Sequence, residues 1–504
     1  MNLSKHFLFL ANTVALCSLP LLATAGIKVT TLHSFNDRDG YRPEGALIQA
    51  PSGQFYGTTL LGGIYEYGTL FRIGPDGSFS RLASFSITNG GEPFSGLVRG
   101  TNGYFYGTTT LGGTNLDGPA MGTIFQATRS GKLTPLVAFA GTNGASPYAA
   151  LIQGADGNFY GTTYLGGASN LGTVFKMTPD GSITTLAAFS GPDGAHPQQN
   201  PLIQSEDGSL YGIASTGGTD SAPYWGGFGT VFKLTPDGSL TTLHYFDGTN
   251  GGSPAAFIQG KDGNFYGATY YGGVSNWGTV FQLTPSGEFT VLHSFTGNSD
   301  GGFATPAMTV DNDGNIYGAT VFGGKFHTYD GYGTIFQINS NSEFTTIYLF
   351  GTLTNKYNRP LDGFQPAGLT TARDGTIYGT AAFGGAYDNI GNGGHGTVFR
   401  LRRVRPVAAI SQQRGGYDAV YSQVPITISG SARGIPAVTN VFLTVNKGPS
   451  VGATSTNAFR TWSASITPVP GTCTIRVWAV DSSGDHSRTN QLSIFCSSTG
   501  LRTQ

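Results

Sequence analysis

Aromatic side chains crowd a set of Gly-rich segments of unequal length: Tyr65, Tyr67, Tyr164, Tyr224, Trp225, Tyr271, Trp277, Phe326, His327, Tyr329, Tyr332, Tyr387 and His395. Sugar rings expose apolar C–H patches that settle on aromatic faces, and Asp or Asn beside them bind the hydroxyls. The Asx residues come from a second recurring phrase, Asx-Gly-x-x-Pro. It runs from Asp39 to Pro43, Asn89 to Pro93, Asn143 to Pro147, Asp193 to Pro197, Asn250 to Pro254 and Asp362 to Pro366, with Asp300 and Pro306 as a stretched copy. Together the two sets would hold a glycan or a peptide. The plainer reading of the Asx set is that these side chains cap their own turns and the prolines stiffen them.

Catalysis would need a coherent constellation. Paired carboxylates from Asp37, Asp39, Glu44 or Glu66 with Asp388 would suit glycoside hydrolysis. A lyase would use His196, His327 or His395 as base beside Tyr or Arg42. No spacing singles out one pair. The eight histidines form no H-x-x-x-H motif, so no metal site is expected. Calcium at Asp-Gly turns stays open, although EF-hand spacing is absent, and no organic cofactor is expected. His33, His244 and His293 recur at one strand position and read as structural. Binding to carbohydrate or a protein partner is therefore the expected role. A polysaccharide-degrading enzyme, lyase or glycoside hydrolase, using the same face is the alternative.

The elements that would position these residues come from a repeat. A phrase close to D-G-N-F-Y-G-T-T returns at Tyr56, Tyr106, Tyr160, Tyr211, Tyr266, Tyr317 and Tyr378. Each unit holds an apolar run such as Leu47-Ile48-Gln49, an Asx-Gly turn, the Tyr-Gly strand, a variable Gly-Gly loop and Gly-Thr-aliphatic-Phe. A Pro-Asp-Gly-type turn then leads into Thr-Thr-Leu-x-x-Phe. Asp-Gly and Asn-Gly between apolar runs favour tight hairpins, because both central residues need positive φ. Four antiparallel strands at a period near fifty make a propeller blade. The last unit, after Val398, lacks its fourth phrase, while an orphan copy, Thr30-Thr31-Leu32-His33-Ser34-Phe35, precedes the first unit. The N-terminal strand is thus expected to complete blade seven and remove a free edge. The fold expected is all-β, a seven-bladed β-propeller over residues 26–403.

Composition bounds the rest. Glycine is 79 of 504 residues, charged residues are 11 %, and the formal net charge is −1. That balance suits short strands and tight turns, and it offers no general attraction to nucleic acid or anionic lipid. Lys5 and His6 precede an apolar run from Phe7 to Leu22 and then Ala23-Thr24-Ala25, the pattern of a secretory signal peptide over 1–25. No other long apolar stretch follows, so the mature chain is expected to lack a membrane span and to be secreted or held in the cell envelope.

On its Tyr-Gly and Gly-Thr-aliphatic-Phe phrases, the chain resembles, over about residues 27 to 403, the tandem-repeat family called GloVer, with its N-x-x-G-x-x-Y-G type signature. The resemblance implies an exported, often surface-attached bacterial protein with a choice of C-terminal anchors and no assigned activity. The segment from Cys496 to Gln504 departs from the anchored pattern, with no sorting motif and no transmembrane helix. The blade phrases are also similar to NHL-type propellers, mostly binding scaffolds.

After Pro406 the repeat stops. Runs such as Val441-Phe442-Leu443-Thr444-Val445 and Ile475-Arg476-Val477-Trp478-Ala479-Val480-Asp481 alternate at strand period, and residues 404–504 resemble a bacterial immunoglobulin-like sandwich. Cys473 and Cys496 are symmetric about the point between Gly484 and Asp485. An unbulged hairpin would set them opposite each other, as a disulfide requires.

Overall fold

The computed structural model describes residues 27–403 except 114–120, 219–225, 325–330 and 388–392. Beyond 403 it describes 407–410, 420–421, 426–433, 438–446, 448–455, 461–466, 471–481, 486–487 and 489–497. The chain divides into two compact units, Ile27–Arg403 and one that takes in the chain from Val404 on. The segment expected to direct export lies outside the described residues, and those residues contain no helix long and apolar enough to cross a membrane.

The described part of the first unit is entirely β. It forms seven four-stranded antiparallel sheets, six of them built from consecutive strands. The seventh takes its outer strand from the N-terminus, with Ile27–Ser34 pairing Thr397–Arg403 from Ile27↔Arg403 to Ser34↔Thr397.

The two recurrent phrases are halves of one contact. In each sheet the glycine of Tyr-Gly stands opposite the Phe of Gly-Thr-aliphatic-Phe, as in Gly57↔Phe71 and Gly267↔Phe281. A Cβ on Gly57 would fall 2.6 Å from Cζ of Phe71, and one on Gly267 only 2.2 Å from Cζ of Phe281. Glycine is needed there because the ring fills the space. Both phenylalanines are 0 % exposed, and burying such a ring stabilises by roughly 2–3 kcal/mol.

The tyrosines join successive sheets. Tyr56 lies 4.3 Å from Phe105, Tyr106 4.1 Å from Phe159, and Tyr378 of the seventh sheet 4.1 Å from Phe55 of the first, ring centre to ring centre. The hydroxyls of Tyr106, Tyr160, Tyr266 and Tyr317 bond to an Asx side chain of the adjoining turn. Tyr266 donates to Asp262 at 2.8 Å and accepts from Gln282 at 2.8 Å. Each hydrophobic cluster of this unit draws on two neighbouring sheets, and one of them unites Phe35, Tyr378 and Val398 with Leu47, Phe55 and Phe71. The Thr370 hydroxyl donates to the Leu47 carbonyl at 2.6 Å across the same seam.

In the second unit the described strands make a three-stranded sheet and a five-stranded one. They share a core that includes Trp462, Leu443, Ile475 and Val477. The hairpin register differs from the expected one. Cys473 stands opposite Ile494 and Cys496 opposite Gly471, so the two cysteines are diagonal rather than facing. The centre of the turn lies nearer the N-terminus than Gly484-Asp485. An irregularity between the Val477↔Asn490 pair and the Val480↔His486 bridge takes back one residue of that offset. Diagonal positions are about 7–8 Å apart, beyond the usual Cα reach of a disulfide.

Candidate functional site

The seven Asx-Gly-x-x-Pro loops each lead into the first strand of a sheet. In each of the seven, the Asx side chain accepts a hydrogen bond from a backbone N–H at the start of its own loop: Asp39 from Asn36, Asn89 from Ser86, Asn143 from Ala140, Asp193 from Ser190, Asn250 from Asp247, Asp300 from Thr296 and Asp362 from Gly351. The plainer reading of these residues therefore holds: they shape turns. His33 and His293 bond to Asp39 and Asp300 and lie flat on Phe79 and Phe344, each 3.7 Å between centres, in keeping with a structural role.

The informative residue of the phrase is the last x. Arg42, Glu92, Ser146, His196, Ser253, Phe303 and Gln365 all have φ between 50° and 57°, and six of them directly precede a proline. Positive φ is strained for any residue except glycine, and strain of this kind concentrates at functional positions. Each of the seven donates its N–H to a carbonyl of the preceding sheet. Glu92 donates to Tyr67, His196 to Leu171 and, across the seam, Arg42 to His395 at 3.0 Å.

The acceptors of those bonds account for four of the aromatic candidates. Tyr67, Trp277, Tyr332 and His395 occupy one repeated place, immediately before Gly-Thr, where other sheets carry Met121, Leu171 and Phe228. Their side chains pack between sheets. A Cβ on Gly302 would fall 2.6 Å from Trp277, and Trp277 lies 4.7 Å from Phe303; Tyr332 packs beside Gly351 and Phe364. His395 bonds Asp37 at 2.7 Å and meets Tyr41 edge-on. Tyr271 packs on Gly252 and is half-buried. Tyr65 and Tyr387 are exposed, at 56 % and 50 %. Tyr224, Trp225 and His327 lie outside the described residues.

Tyr164 is the candidate that joins a larger assembly. It follows the Tyr-Gly-Thr-Thr strand Phe159–Thr163 and donates its backbone N–H to the carbonyl of Ser146. Its ring lies 4.8 Å from His196 and 5.4 Å from Tyr148, and Tyr148 meets Phe94 at 5.3 Å. Phe94, Tyr148, Tyr164 and His196 thus form a continuous, half-exposed ladder across three sheets. Glu92 stands at its edge, with one carboxylate oxygen 3.4 Å from the Thr110 hydroxyl.

Burial pushes the Tyr148 phenol up, helped by Tyr164 and Glu92, and burial pushes His196 down. The Thr216 hydroxyl donates to the Ala195 carbonyl at 3.3 Å and lies 2.9 Å from His196 Nδ1.

Beyond the first sheet's bend, Arg42 forms a two-pronged contact with Glu44, at 3.0 Å from Nε and 2.7 Å from Nη2, and lies over Phe383 at 5.2 Å. Burial raises the Glu44 carboxyl against the opposing pull of Arg42. Sequence reasoning named Arg42 and His196 as lyase candidates but passed over Glu92, Ser146, Ser253, Phe303 and Gln365 at the same place of the phrase. Phe94 and Tyr148 were missed, although both stand two places after the positive-φ residue. Among the described residues, no group of three or more His, Cys, Asp or Glu is placed to hold a metal ion.

The model of the Gloeobacter/Verrucomicrobia repeat matches residues 21–224 and 199–423, and the chain belongs to that family. No curated protein matches it. Solved structures with a similar course include a polysaccharide lyase, a PL25 ulvan lyase bound to a GlcA–Rha3S unit. It is 10 % identical, with 73 % of this chain and 95 % of that chain covered and a TM-score of 0.45. A Thermus thermophilus protein provisionally described as a glucose-dehydrogenase oxidoreductase is 16 % identical, with 75 % and 100 % covered and a TM-score of 0.39. A protein of unknown function from Dyadobacter fermentans is 9 % identical, with 75 % and 99 % covered and a TM-score of 0.35. At these identities and scores the likenesses say nothing about activity.

Proposed function

We propose that this is an exported glycan-binding protein: a signal peptide over 1–25, a seven-bladed β-propeller over 26–403 and an immunoglobulin-like module over 404–504. The observation that carries the binding role is the ladder Phe94–Tyr148–Tyr164–His196, with the Glu92 carboxylate and the His196 imidazole as hydrogen-bonding groups beside it. Aromatic faces in series with a few hydrogen-bonding groups suit a chain of sugar rings. The propeller reading is supported by seven like sheets joined in cyclic order through shared cores.

A degrading enzyme on the same surface has His196 beside Tyr164 in its favour. Against it, a phenol serving as base needs its pKa lowered, and that of Tyr148 is raised. The Arg42 guanidinium, the cationic partner considered for a lyase, is engaged by Glu44.

The test is affinity electrophoresis of the full chain through gels containing a panel of polysaccharides, with each mixture assayed for new reducing ends and unsaturated products. Retarded migration without product is expected. Product formation would replace the binding reading with the enzymatic one.

A further inference from the structure

We infer that the sugar chains taken by this rim are uncharged, and that uronic-acid chains are turned away; this rests on the reading of the rim as a sugar-binding surface. Among the seven positive-φ residues and those two places after each, the charged side chains are Arg42, Glu44 and Glu92. An acidic sugar needs a cation free to meet its carboxylate. Arg42 is not free: both of its contacting nitrogens are committed to Glu44, and its flat face is covered by Phe383. That pair presents no net charge to a ligand.

Among the described residues of that set, what remains beside the ladder is one carboxylate. Glu92 holds it next to Tyr148, close enough to help raise the phenol, and Thr110 supplies a single hydroxyl contact. A uronate ring stacked on Tyr148 would bring like charge against Glu92. In a partly desolvated site such repulsion costs on the order of a hundredfold in affinity. His196 does not compensate, because burial favours its neutral form and Thr216 already occupies its Nδ1 at 2.9 Å. The groups offered to a ligand are thus mostly acceptors and hydroxyls, matched to the donors and acceptors of neutral sugars.

The experiment compares retention of the full chain by β-glucan and mannan with retention by polygalacturonate and alginate, at low salt, for the wild type and for Glu92→Gln. The expected result is retention by at least one neutral polymer, with uronates at least about tenfold weaker and the gap narrowed about tenfold by Glu92→Gln. Uronates held as strongly as neutral chains, or a gap unchanged in Glu92→Gln, would overturn the inference while leaving sugar binding intact. Retention by none of the polymers would overturn the sugar-binding reading and take the inference with it. An unchanged melting temperature of Glu92→Gln establishes that the variant is folded.

Discussion

The seven sheets of the first unit fall into two unlike groups, here called halves. In the first four sheets the innermost regular pairing is only two residues long, Ile48–Gln49, Val98–Arg99, Ile152–Gln153 and Ile203–Gln204. In the last three it runs eight or nine residues, as in Gly252–Gln259, Gly302–Val310 and Phe364–Thr371, and continues past the positive-φ residue. The difference follows side-chain size two places after that residue. Glu44, Phe94, Tyr148 and Gln198 stand there in the first half, each followed by a backbone bend; Ala255, Thr305 and Ala367 stand there in the second. Small side chains let the ladder continue with a bulge, whereas large ones coincide with its interruption. The half that gives up regular pairing is the half that carries Glu92, Tyr148 and His196. In the other half, Phe303 lies against Tyr270 at 4.8 Å and Trp277 at 4.7 Å, a packing arrangement.

The sharpest way to break this comparison is to remove one aromatic set from each half. The pair Tyr148→Ala with Tyr164→Ala is expected to lower glycan retention at least about tenfold with little change in melting temperature, since it takes away the faces on which sugar rings stack. Phe303→Ala should do the reverse, costing about 1–3 kcal/mol in denaturant unfolding with retention preserved. Equal losses of retention from both halves would end the distinction.

A smaller effect separates the halves by pH. Burial lowers the His196 pKa, so its neutral form is favoured in the fold. That stability is fully present above the ordinary histidine value of 6.5 and is lost as pH falls below it, because the unfolded chain takes up the proton first. Melting temperature should decline below this point by a few degrees, and His196→Phe, which copies Phe303, should flatten the decline. A slope unchanged in His196→Phe would assign the acid sensitivity elsewhere.

The least effect is expected from the backbone itself. Ser146→Gly and Ser253→Gly relieve the same positive φ in opposite halves. Each should change stability by no more than about 1 kcal/mol, since relief of strain is offset by added freedom in the unfolded chain. Retention should not move in either. A loss confined to Ser146→Gly would show that strain, and not side-chain identity, distinguishes the halves.

The fold was legible where the physics is local. Asx-Gly turns and the orphan Thr-Thr-Leu phrase each specify a neighbour, and Ile27–Ser34 pairs as that orphan demands. The candidate site was legible only in part. Aromatic content pointed to Tyr164, but it pointed equally to Tyr67, Trp277 and Tyr332, which pack between sheets. Their shared place before Gly-Thr was hidden because the position tolerates Tyr, Met, Leu, Phe, Trp and His alike. The cysteine register failed for a different reason: the strand pairs next to the turn are centred nearer the N-terminus than two facing cysteines would need.

By itself, the sequence determined the repeating unit, its four strands and the borrowing of the first strand by the last sheet, because turn chemistry and side-chain volume act over a few residues or one strand pair. Only the tertiary structure decided that Phe94, Tyr148, Tyr164 and His196 meet, that Arg42 is spent on Glu44, and that seven non-glycine residues share a strained φ. Those facts depend on how successive sheets seat against one another. That seating is set by the summed packing of shared cores, which no single phrase encodes.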